Sequence, residues 1–151
     1  MREVSTLLPV SREEAFRVLE DPRSFERLVA GARKVRRFDT RWPDEGTVIH
    51  HTVGITPFLI RDTTKVTRIV RPELLRLEAR ARPLGVFTVE FEFADDPSGC
   101  LMKVREKPSS GFVARPGMKT VVEASVILRN LELCRRYRRL IESRRVAVGR
   151  A

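Results

Sequence analysis

The sequence predicts an α+β protein: a first strand, two short helices, six further antiparallel strands and one long C-terminal helix, in that order. Three observations predict it. Apolar residues alternate with period two through most of 32–108. The breaks between those runs are too short to hold crossover helices, so successive strands pair as hairpins. After residue 120 apolar residues recur at helical spacing.

Val4 to Val10 is β-rich and reads as the first strand. Ser11-Arg-Glu-Glu14 fits a capping box, with Ser11 receiving backbone N–H groups at the start of a helix that buries Ala15, Phe16, Val18 and Leu19. Asp21-Pro22 starts a second short helix, carrying Phe25, Leu28 and Val29 and stopping near Gly31.

Strands are expected over Val35–Thr40, Thr47–Ile55, Phe58–Val70, Leu74–Arg82, Val86–Ala94 and Cys100–Lys107. Trp42 to Gly46, Thr56-Pro57, Arg71 to Glu73, Arg82-Pro83 and Asp95 to Gly99 supply the turns. The clearest alternation is Phe87 to Phe93, which puts four apolar side chains on one face and Thr88, Glu90 and Glu92 on the other. Pro108 to Gly117 reads as a loop. A helix then runs from about Thr120 to Arg144, with Ala124, Ile127, Leu128, Leu131, Cys134, Tyr137 and Ile141 as its inward stripe.

At 151 residues the chain has the length of one domain with a real core. No apolar run approaches the roughly 18 residues that span a bilayer. The opening MREVSTLLPVSREEAF has no signal-peptide stretch, so a cytoplasmic protein is expected. Cys100 and Cys134 stand far apart without a CxxC context, which argues for two reduced thiols. The net charge of +10 raises nucleic acid or an anionic membrane as partners, with the basic stretch CRRYRRLIESRR as the contact. Arginines on one side of an amphipathic helix are more often a solvated face.

The opening VSTLLPVSREEAFRVLEDPRSFERLV and the element order that follows resemble the START-like (Bet v 1-like, SRPBCC) superfamily, nearest its polyketide cyclase/dehydrase-like branch. That resemblance covers nearly the whole chain and implies a helix-grip fold: a curved seven-stranded sheet wrapped around the last helix. It also implies residues 1–151 acting as a single ligand-binding domain, with an elongated cavity for a small hydrophobic molecule. Members include carriers and cyclase- or dehydratase-like enzymes, so function must be argued from the site.

The two histidines of the chain, His50 and His51, are adjacent in a strand and must point to opposite faces. Ile49, His51, Val53 and Ile55 form the more apolar face, so His51 is expected inward and His50 outward. Divergent rings with no nearby His or Cys argue against a metal, and no cofactor is implied.

A hairpin around Thr56-Pro57 sets His51 opposite Asp62, whose inward neighbours are Phe58, Ile60, Thr64 and Val66. A hydrogen bond between that histidine and aspartate would make an acid/base pair or a polar anchor. The competing expectation is a structural pair, or Asp62 bonded to an arginine. Glu106 shares a face with Met102 and Val104 and is expected either inward on the far side of the ligand or at the rim, paired with an arginine. Phe87, Phe91, Met102 and Met118 are candidate wall or mouth residues, Tyr137 a core residue or a hydroxyl donor to the cavity, Trp42 a cover, and PSSGFVARPG a candidate lid. No phosphate loop, GxSxG elbow or HExxH motif is present.

Overall fold

A computed structural model describes residues 2–29, 32–55 and 58–149. The elements are β1 (Arg2–Leu8), α1 (Arg12–Glu20), α2 (Phe25–Leu28), β2 (Ala32–Phe38), β3 (Val48–Ile55), β4 (Phe58–Val70), β5 (Leu74–Ala81), β6 (Gly85–Asp96), β7 (Gly99–Gly111) and α3 (Lys119–Gly149). The seven strands form one antiparallel sheet in the order β1-β7-β6-β5-β4-β3-β2. Strands adjacent in sequence pair as hairpins from β2 to β7. The two helices between β1 and β2 carry the chain from one edge of the sheet to the other.

The local chemistry behind these elements is direct. The Ser11 hydroxyl accepts the Glu14 N–H at 3.2 Å and starts α1. Asp21 accepts the Arg23 N–H at 3.0 Å, and Pro22 opens the next, 3₁₀ turn. From α1, Ala15, Phe16, Val18 and Leu19 are buried. Phe16 meets Phe93 of β6 edge-on at 5.7 Å, and the Tyr137 hydroxyl of α3 donates to the Ala15 carbonyl at 2.5 Å. Trp42 is buried as well, donating to the Leu19 carbonyl at 3.0 Å and meeting Phe25 edge-on.

The outer face of the sheet is tied by charge. Arg76 of β5 donates to Glu90 of β6 at 2.8 Å. Arg105 of β7 reaches Glu90 at 3.2 Å, Glu92 at 2.8 Å and Glu3 of β1 at 2.6 Å. One lattice of alternating charge therefore crosses four strands, and a network of this kind stiffens a sheet more than isolated surface pairs do.

Three expectations need correction. β1 begins and ends two residues earlier than Val4–Val10. β7 continues through Pro108 to Gly111, so half of the expected loop is strand. It can continue because Gly85 and Gly111 meet where no Cβ would fit: one added to Gly85 would lie 2.1 Å from the Ser110 carbonyl oxygen. The third correction concerns α3. Its inward residues are Val122, Val126, Asn130, Leu133, Tyr137, Leu140 and Ile141, together with Cys134. Ala124, Leu128 and Leu131 are exposed, Leu128 at 70 %. The expected stop near Gly31, the Thr56-Pro57 turn and the outlook of Val53, Ile55 and Phe58 fall outside the described residues.

Candidate functional site

Between the concave face of the sheet and the first half of α3 lies a cavity of about 170 Å³. Its apolar walls come from Val35, Ile49, Leu77, Phe87, Phe91 and Leu133. Strand alternation delivers most of these: Leu77 and Ala79 of β5 face Val89 and Phe87 of β6 across the ladder, all on the inner side. Lys34 and Arg80 border the cavity too, but from positions that alternate with the inward Val35 and Ala79. Their side chains are exposed.

Five polar side chains reach into this apolar space: His51, Thr64, Glu106, Arg129 and Asn130. The register sets His51 opposite Asp62, as the hairpin reading required. The expected hydrogen bond between them is nevertheless not made. His51 Nε2 bonds instead to the Thr64 hydroxyl at 2.9 Å, two residues along the facing strand. Asp62, 0 % exposed, accepts from the Arg82 backbone N–H at 2.7 Å and from its Nε at 3.2 Å. It pins the β5–β6 turn to β4 and does not line the cavity. A carboxylate that deep needs a cationic or N–H partner, and the nearby turn supplies both.

Burial pushes the His51 imidazole below its usual 6.5. The Asp62 carboxylate opposes that shift, and the Arg36 guanidinium and His50 reinforce it. The ring is therefore neutral at physiological pH, with one nitrogen a donor and the other an acceptor. Its Nδ1 is buried and has no hydrogen-bond partner among the described residues. His50 turns outward, where Arg37 approaches its Nε2 at 3.2 Å.

Glu106 is 2 % exposed and forms an ion pair with Arg129, one turn before Leu133 on α3. The Arg129 guanidinium also lies over the Phe87 ring, 5.4 Å from its centroid. Burial lowers the Arg129 pKa without removing its charge. Beside it, Asn130 is 1 % exposed, and its Nδ2 has no hydrogen-bond partner among the described residues.

His51, Phe87, Phe91 and Glu106 thus meet around one space, whereas Asp62, Met102 and Tyr137 do not. Met102 is buried under α1 and α3 in the solid part of the core, and the Tyr137 hydroxyl is consumed by the Ala15 carbonyl. Met118 packs with Phe87, Val122 and Val126 in a smaller cluster. Both thiols are buried, and burial raises each to about 11. The apolar spacing expected for α3 puts Arg129 off the inward stripe and does not single out Asn130, although for Asn130 a signal exists. Counting back from Tyr137 in steps of three and four gives Leu133, Asn130, Val126 and Val122, the observed inward face.

No known family model and no curated protein matches the sequence. Solved structures match over nearly its whole length. The di-domain ARO/CYC StfQ from the steffimycin biosynthetic pathway superposes on 95 % of the chain with a TM-score of 0.74 at 10 % identity, and the chain spans 50 % of that protein. Ara h 8.0201 covers 94 % of the chain with a TM-score of 0.71 and 13 % identity, matched over 97 % of its own length. The protein NE0264 from Nitrosomonas europaea gives a TM-score of 0.72 at 14 % identity, over 95 % of this chain and 94 % of its own. At such identities the likeness is one of fold. With its seven strands in one antiparallel sheet against a long C-terminal helix, the chain has a helix-grip fold, which it shares with the ARO/CYC StfQ and Ara h 8.0201.

Proposed function

We propose that residues 1–151 act as one ligand-binding domain that holds a small hydrophobic molecule between the sheet and the first half of α3, as a carrier or as a cyclase- or dehydratase-like enzyme. The observation that carries this reading is the cavity, aromatic and aliphatic on its walls, with a neutral imidazole directed into it. His51 is the polar anchor in this reading, and Phe87, Phe91 and Glu106 frame the ligand with it. Likeness of fold to an ARO/CYC protein is consistent with either role and chooses neither.

The alternative partner, nucleic acid or an anionic membrane at the basic end of α3, has less behind it. Arg135 and Arg136 are paired with Glu132, Arg138 with Glu142, and Arg144 lies 4.0 Å from Asp21. Much of that charge is answered within the molecule.

Amide chemical-shift titration with toluene tests the reading. Saturable shifts at Ile49, Leu77, Phe87 and Leu133 are expected, and they should vanish when Ala79→Leu fills the cavity. Shifts spread over the surface, or none at millimolar concentration with either toluene or an oxygenated aromatic of its size, would overturn it.

A further inference from the structure

Resting on the cavity reading above, we infer that the ligand class is a neutral, single-ring aromatic carrying a carbonyl or hydroxyl oxygen, and that Asn130 selects for that oxygen. Size is the first constraint. A dry cavity of about 150 Å³ accepts benzene, and this one measures about 170 Å³. A ring with one small substituent fits without rearrangement, whereas a fused polycycle needs the walls to move.

The second constraint is the unanswered polar atoms. Asn130 Nδ2 is a donor, almost fully removed from solvent, in the wall of an apolar cavity and without a partner among the described residues. A buried donor left unmade is costly, so a molecule that brings an acceptor gains much more there than one that does not. Across the same cavity, His51 Nδ1 is also unpartnered, while Nε2 is held by Thr64. A hydroxyl can both accept and donate, and a carbonyl can accept.

The third constraint is charge. Arg129 is the cation whose inward position on α3 brings it to the cavity, and Glu106 already answers it. An anionic ligand would have to shed its hydration and then compete with a carboxylate inside the protein. Lys34 and Arg80, the other cations that border the cavity, are exposed and keep their charges in water.

Binding of four probes of similar size separates these ideas: acetophenone, phenol, toluene and benzoate, measured by calorimetry or amide shifts on the intact chain. Acetophenone and phenol should each bind about ten-fold or more tightly than toluene, and benzoate more weakly than either oxygenated probe. Asn130→Leu, which keeps the length and removes the donor, should bring acetophenone close to toluene while leaving toluene affinity unchanged or improved. Its melting temperature should not fall, which shows that the variant folds. Toluene equal to acetophenone in the unaltered chain overturns the inference and leaves the cavity reading intact. Benzoate as the tightest probe, or a preference that survives Asn130→Leu, also overturns it. Failure of all four probes overturns both readings.

Discussion

The two halves of α3 lie along one sheet and make opposite use of it. The second half, from Cys134 to Ile141, packs in the main core, where Tyr137 joins Phe16, Phe93 and Met102. The stretch before it packs Val122 and Val126 on Phe87 and then presents Arg129, Asn130 and Leu133 to the cavity. One element thus anchors the fold at one end and lines a vacant volume at the other. The difference lies in what faces it. The solid half is covered by α1, whose four buried side chains fill the concave face. On the cavity side the single turn of α2 and the residue after it contribute Phe25 and Val29.

The strongest way to break this contrast is to truncate one aromatic in each half. Phe16→Ala should cost about 3–5 kcal/mol in urea unfolding, because its neighbours are close-packed and cannot collapse around the void. Phe87→Ala should cost nearer 2 kcal/mol, since part of the ring already borders empty space and makes fewer contacts to lose. Equal losses would mean that the two halves do not differ in packing.

A smaller effect is expected from the Glu106–Arg129 pair. Glu106→Gln leaves a guanidinium half buried against Phe87 and should cost about 2 kcal/mol, below the usual penalty for a fully buried pair because Arg129 keeps some contact with water. Adding Arg129→Met should recover part of that loss, measured as a non-additive double-mutant cycle. Simple addition of the two losses would show that the pair is not coupled.

The smallest effect is a pH dependence from His51. Its folded pKa is depressed by burial, so the unfolded chain takes up its proton first as pH falls. The associated stability is present above about 6.5 and is lost as pH drops through the lowered folded value. His51→Gln should flatten that part of the stability–pH curve, and an unchanged slope would place the imidazole in water.

Much of this fold was legible because its rules are local. Ser11 and Asp21 announce their helices. The Phe87–Phe93 alternation announces a strand half buried, and a hairpin register counted from its turn puts His51 across from Asp62. The side-chain partners were less legible. Facing residues on a ladder have a choice of neighbours, and Asp62 takes Arg82, which folds back from the next turn and carries a charge that the neutral histidine does not. The reading of α3 failed for a related reason. Apolar residues mark the inward face of a helix only where the facing space is filled with apolar groups. Around a cavity with polar anchors, Asn130 is buried and Arg129 borders the space, while Leu128 and Leu131 lie out. The true face shows only when the helix is phased from Tyr137, at its packed end.

The placement of β1 has a consequence for how the molecule comes to exist. Its partner is β7, and the ion pair that fastens them joins Glu3 to Arg105, 102 positions along the chain. During synthesis the first strand therefore has no partner in this sheet until nearly all the others have been made. Contacts of such long range slow folding and leave an edge exposed meanwhile. The last strand to pair, β7, also carries Glu106. The helix that brings Arg129, Asn130 and Leu133 to the cavity follows β7 in the chain, so a nascent chain should complete its sheet first and gain the capacity to bind a ligand only once α3 has been made.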